Sequence, residues 1–242
     1  MANPVLARDT FVGARAIASE DRMTLAGAVT KTGVLMAVCA ASALAVWVTA
    51  AALGPSLPTA IMGAAVAGLV VGFTTVFVPR WAPVTAPLYA ILEGLALGGI
   101  TLIYNALYRG LPLQALALTI VAGGTMLALY ATRVVRVTEQ LRAVIVGATL
   151  AILLYYLVAF VAGFFGVRLP FLVGGGWMSI GFSLLVVGVA TLNFLLDFDL
   201  IERAAEHGAP RYMEWYGAFG VLVTFVWLYL EILRLLSKLR QR

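Results

Sequence analysis

Residues 143–166 read AVIVGATLAILLYYLVAFVAGFFG, a run without a single charged side chain. A helix needs about 20 predominantly apolar residues to cross the hydrocarbon core of a bilayer. This run is long enough and keeps no polar face for water. It also lacks the strict alternation that marks a strand of a membrane barrel. Outward from it, runs of similar size fall at 32–53, 58–78, 84–107, 112–132, 171–198 and 216–237. The breaks between them are sharp: Gly54-Pro55, Pro79-Arg80, Arg109-Gly110, the Arg133–Arg142 stretch, Arg168-Leu169-Pro170 and Asp199–Arg211. Pro and Gly suit these positions because the chain has to turn in the interface. The pattern predicts an all-α integral membrane protein, a seven-transmembrane-helix bundle, with a polar N-terminal segment at 1–29 and one membrane domain at 30–242.

Bulk composition agrees. Of 242 residues, 63% are apolar and 11% charged, against about 45–50% and 25% in a soluble domain. A core of this size cannot hide so much apolar surface. Cys39 is the one cysteine and His207 the one histidine, so neither a disulfide framework nor a His/Cys zinc site is available. The first 29 residues carry Arg8, Arg15, Arg22, Asp9, Glu20 and Asp21 and no apolar core, so no cleavable signal peptide is expected. The net charge of +5 reads as orientation and contact with membrane lipid, not nucleic acid.

Seven spans place Arg8, Arg15, Arg22, Lys31, Arg80, Arg133, Arg136, Arg142, Arg203 and Arg211 on the side of the N-terminus, and Arg109, Arg168, Arg234, Lys238, Arg240 and Arg242 opposite. Ten cations against six put the N-terminus in the cytoplasm. The basic tail opposes this assignment, and a last segment that re-entered would relieve it. Gly68/Gly72 and Gly94/Gly98 are G-x-x-x-G pairs, which let helix backbones approach closely in lipid.

Charged groups inside the bilayer cost roughly 2.5–3.5 kcal/mol on insertion scales, which makes each a candidate for function. Glu93 lies mid-way through the third run, Asp197 and Asp199 close the sixth, Glu231 lies inside the seventh and Glu214 stands at its mouth. Asn193 is four residues from Asp197 and shares its helix face, where it can bond the acid or extend a polar path. Glu231 can equally pair with Arg234 three residues on, and Asp199 can be an interfacial charge. Low dielectric and a second acid both favour the neutral carboxyl. A cluster of Glu93, Asp197 and an acid of the last helix would therefore serve as a proton switch or a cation site. Oxygen ligands alone suit a hard ion such as calcium. Without a Ser/His or Cys/His pair in the membrane, or a phosphate loop, no enzyme is expected.

The stretch Tyr89-Ala-Ile-Leu-Glu93-Gly-Leu-Ala-Leu-Gly98, the run Asn193-Phe-Leu-Leu-Asp197-Phe-Asp199-Leu-Ile-Glu202, then Glu206-His207-Gly208 and Leu228-Tyr-Leu-Glu231-Ile-Leu-Arg234 resemble the Bax inhibitor family of seven-helix proteins, in particular a bacterial branch. Asn3-Pro4, Phe11, Met23-Thr24 and Met213-Glu214-Trp215-Tyr216 add to the likeness, which spans the whole chain. The resemblance implies a last helix wrapped by the other six and a pH-sensitive calcium leak in the bacterial cytoplasmic membrane. It also implies a latch of two aspartates on the last two helices. Counted from Glu206-His207-Gly208, Asp197 matches the first of these. For the second, Glu231 fits the local pattern, an alignment on Arg234 puts Thr224 there, and Glu214 is nearer the membrane face where Asp197 ends. No cofactor is expected, with calcium only as a transported ion. The alternative implied is a modulator of a membrane-anchored protease, docked through the N-terminal segment.

Overall fold

Without water to satisfy it, a spanning backbone has to bond within itself, and the chain does so in seven long helices. The structure, a computed structural model, describes residues 22–166 and 176–241. The helices are α1 (Leu25–Leu53), α2 (Leu57–Phe77), α3 (Ala82–Leu107), α4 (Leu111–Ala131), α5 (Glu139–Phe164), α6 (Trp177–Glu206) and α7 (Met213–Arg240). All seven are long and apolar enough to cross a membrane. Short 3₁₀ turns at Gly54–Ser56 and Pro79–Trp81 join α1 to α2 and α2 to α3. Most of the polar segment 1–29, with Asn3-Pro4, Phe11 and the N-terminal docking surface, lies outside the described residues, as do the Arg168-Leu169-Pro170 break and the start of the run at 171.

Three helices reach past their apolar runs because polar side chains hold their ends. Helix α1 begins at Leu25, inside the segment read as polar, where the Thr24 hydroxyl caps it by accepting from Gly27 N at 2.9 Å. Thr138 does the same for α5, accepting from Leu141 N at 3.2 Å. Helix α6 continues two turns beyond 198 and stops at His207, after which Gly208 takes a left-handed φ of 67°. Only glycine reaches that conformation without steric cost, which gives Glu206-His207-Gly208 a physical meaning as a helix stop.

Helix α7 is central. It packs on α6, α1, α4 and α3 and carries the densest set of buried residues, from Glu214 to Lys238. Those four helices make most of its contacts; α2 packs chiefly on α3 and reaches α7 at Gly72 against Phe219, and α5 packs chiefly on α6 and reaches α7 through Tyr156. The start of α1 is tied to the α6–α7 turn by Met23 N donating to Ala209 O at 2.7 Å. Both glycine pairs sit where helices touch. A Cβ on Gly98 would lie 2.6 Å from Ala43 O of α1, and Gly94 meets the Cys39 carbonyl in the same way. Gly68 and Gly72 of α2 face Glu93 and Tyr89 of α3, at 3.4 and 3.3 Å from such a Cβ.

Candidate functional site

The acids of the bundle divide by whether a cation meets them. Glu214, 2% exposed, pairs with Lys31 of α1 and accepts from Thr24 N at 2.8 Å and Thr24 Oγ1 at 3.0 Å. It clamps the start of α7 to the start of α1, and its bonds go to Thr24 and Lys31, not to Asp197. Asp199 pairs with Arg142 of α5 and, at 2.9 Å, with Arg203 one turn on. Glu202 pairs with Arg133 and accepts from the Tyr130 hydroxyl. Arg133 takes a φ of 58°, uncommon outside glycine, at the turn where α4 leaves the membrane. These pairs tie α4, α5 and α6 together at one face.

Glu231 is the deepest acid in the far half of the bundle, 2% exposed. Arg234 Nη1 donates to its two oxygens at 3.0 and 3.1 Å, and the Tyr156 hydroxyl of α5 donates to Oε1 at 2.8 Å. Arg234 also donates to Tyr156 Oη at 2.7 Å, and its guanidinium lies 5.2 Å from that ring's centre. One turn on, Lys238 turns inward and donates to Ser183 Oγ at 2.8 Å and Ser179 O at 3.3 Å. Two of the four tail cations are therefore engaged by groups of the bundle, and α7 runs as one unbroken helix from Met213 to Arg240.

Asp197 differs. Among the described residues no cation pairs with it. It meets α7 at Gly220, whose Cβ would lie 3.7 Å from Oδ1, and at Thr224, whose hydroxyl bonds to the carboxyl. Its Oδ2 is sealed from solvent and has no hydrogen-bond partner among the described residues. Buried polar atoms are nearly always paired, so this oxygen is an exception that calls for a reason. Thr224 and Glu231 are seven residues apart on α7, about 10 Å along the axis, so the structure does not bring Asp197 and Glu231 together. Asn193 does not bond Asp197 either: its amide donates to Thr149 Oγ1 of α5 and to Val189 O, both at 2.9 Å.

Setting aside the exposed Glu206 at the end of α6, Glu93 is the second acid without a cation among the described residues. It lies at the α2–α3 contact facing Gly68, bonded by the Tyr89 hydroxyl one turn earlier. The Tyr89 ring packs edge-on against Phe219 of α7 at 5.0 Å. Glu93 and Asp197 thus flank α7 on different sides, and the single cluster expected with an acid of the last helix does not form. Among the described residues no three His, Cys, Asp or Glu side chains converge on a metal position.

Reading the sequence passed over Tyr156, Thr149 and Lys31 as partners. The first two carried a signal: Arg142, Thr149 and Tyr156 recur every seven residues, and each bonds across to α6 or α7. Compared with known families, the chain matches over residues 3–241 the family described as Bax inhibitor 1 like. Among curated proteins no match was found.

Proposed function

The chain belongs to the Bax inhibitor 1 like family, and from that premise we propose that it is a pH-sensitive cation leak of the membrane it spans, with calcium the ion and Asp197 the gating carboxylate. The observation that carries this reading is the sealed, unpartnered Oδ2 of Asp197 at the α6–α7 seam. A neutral carboxyl fits that seam, with Thr224 as its partner. An ionised one has no counter-ion, and a charge at such depth costs roughly 2.5–3.5 kcal/mol unless water reaches it. Ionisation therefore favours a parted, hydrated seam. Since about 1.4 kcal/mol is a factor of ten, the bias is roughly a hundredfold between the two protonation states. Thr224 stands where a second aspartate was one of the alternatives, so the latch is a single acid and not a shared-proton pair. In a hydrated seam the carboxylate is an oxygen ligand suited to a hard divalent cation in transit.

On this reading the protein lies in a bacterial cytoplasmic membrane with its N-terminus inside, as the excess of Lys and Arg on that side favours. Arg234, paired with Glu231, and Lys238, buried in the bundle, no longer weigh against that orientation. The test is calcium flux into liposomes holding purified protein, read with an entrapped indicator across pH 5.5–8. Flux should rise with pH as Asp197 ionises, and Asp197→Asn should hold it low and flat. An Asp197→Asn profile that still rises would remove Asp197 as the gate. No flux at any pH would remove the leak and favour the protease-modulator reading.

A further inference from the structure

Between α1, α3, α4 and α7 a groove of about 620 Å³ runs from mid-membrane to the face where α7 ends. Leu97, Leu222, Val226 and Tyr229 form its buried wall, while Trp47 and Leu113 stand exposed on its lips. The polar atoms there are engaged: Tyr229 Oη and Thr101 Oγ1 bond each other at 2.8 Å, and Asn105 Oδ1 accepts from Gly110 N at 3.0 Å. Along α1 the groove extends from Met36 to Trp47, about 16 Å of helix. That is the depth of one leaflet, half of the roughly 30 Å hydrocarbon core.

The groove ends at the α3–α4 turn. There Arg240 Nη1 donates to the Arg109 carbonyl at 3.4 Å, and both residues are exposed. Among the described residues the segments at this face, 54–56, 108–110 and 240–241, contain no acid. Five cations elsewhere, Lys31, Arg133, Arg142, Arg203 and Arg234, meet carboxylates, whereas Arg22, Arg80, Arg136 and Arg211, like Arg109 and Arg240, form no ion pair among the described residues. An apolar slot one acyl chain deep thus opens beneath two arginines for which the described residues supply no counter-charge at that face.

We propose that this groove is a binding site for one anionic glycerophospholipid of the leaflet at the α7 C-terminal face, its acyl chain along Met36–Trp47 and its phosphate between Arg109 and Arg240. Any lipid chain can wet an apolar groove. The headgroup selection is what the two arginines add, since each cation near a membrane surface contributes about a factor of five toward anionic lipid.

The probes are phosphatidylglycerol and phosphatidylcholine of the same acyl composition, titrated onto the detergent-purified full chain and counted by native mass spectrometry. One phosphatidylglycerol per chain should be retained, about thirtyfold tighter than phosphatidylcholine. The Arg109→Gln/Arg240→Gln double variant should bring phosphatidylglycerol down to the phosphatidylcholine level. Ala40→Phe, which fills the exposed floor of the groove, should weaken both lipids alike, and Leu116→Trp at the lip provides the same reading if Ala40→Phe misfolds. Equal retention of the two lipids by the unaltered protein would overturn the site. So would a preference that survives loss of both arginines, or undiminished binding with the groove filled.

Discussion

Removing the Arg234 guanidinium tests whether Glu231 is structural or belongs to a gate. Glu231 is 2% exposed and accepts two hydrogen bonds from Arg234 and one from Tyr156. In Arg234→Met the stem that packs in the bundle is kept and the charge is lost. Only the Tyr156 hydroxyl then faces a buried carboxylate, and breaking a buried pair from one side costs about 3–5 kcal/mol. For a chain of this size each kcal/mol shifts the melting temperature by about 2–4 °C, so a fall of roughly 10 °C is expected in detergent. Glu231→Gln should cost less, because Arg234 is partly exposed and its flexible stem lets the head reach the interface. The double variant Glu231→Gln/Arg234→Met should recover most of the loss, since a neutral pair in place of a buried ionic one is often tolerated. The measurement is a double-mutant cycle by thermal unfolding, with coupling of at least 2 kcal/mol expected. Additive single effects would refute the reasoning. The same cycle run between Asp197→Asn and Glu231→Gln should be additive within about 0.5 kcal/mol, as sites some 10 Å apart usually are. Coupling there would restore the two-acid latch that the helix register denies.

Three other outcomes are expected. Gly98→Ala should destabilise by about 1–3 kcal/mol, because its Cβ would press on the Ala43 backbone at 2.6 and 2.9 Å, while Gly124→Ala, with open space around it, should be neutral or better; equal melting temperatures for the two would contradict the α1–α3 contact. Glu93→Gln should give a stable, inserted protein whose flux responds to pH with an altered midpoint, matched in direction by Tyr89→Phe; unchanged flux at every pH would reduce Glu93 to packing. A cysteine at Val137, with Cys39 replaced, should resist impermeant thiol reagent in intact cells, and ready labelling would invert the orientation.

The spans were legible because the bilayer imposes a length and a hydropathy that no other environment demands. Helix ends were less so. Leu25, Glu139 and Glu206 lie in polar sequence, and what keeps those turns helical is a Thr cap or an ion pair with another helix, neither of which leaves a trace in local hydropathy. The acids could be found as candidates, since each stands alone in an apolar run. Of their partners the local ones were available from spacing alone, since Arg234 lies three residues from Glu231, Arg203 four from Asp199 and Tyr89 four from Glu93 on one helix face. The pairs of Glu214 with Lys31 and of Asp199 with Arg142 join residues far apart in sequence. Asp197 shows the limit most clearly. Its neighbour Asn193 shares its face, yet one residue bonds α5 and the other meets α7, and no property of the sequence run decides which.

The attachment of α5 explains why so few acids are left to titrate. Its inward face repeats every seven residues: Arg142, Thr149 and Tyr156 alternate with Ile145 and Ile152, its two buried positions. A seven-residue repeat is the spacing of a knobs-into-holes seam, but here three of five rungs are polar. In lipid, apolar contact alone gives little drive for association, and an interhelical hydrogen bond adds about 0.6 kcal/mol on average and 1.7 at most. Polar rungs therefore contribute register more than strength, and each consumes a group that α6 or α7 would otherwise present unpaired. Asp199, Asn193 and Glu231 are consumed in this way. Asp197, one turn from Asn193 and aimed at α7 instead, is left out, and apart from the exposed Glu206 at the end of α6 it is the one described acid of α6 and α7 that a change of protonation can reach without first breaking an ion pair.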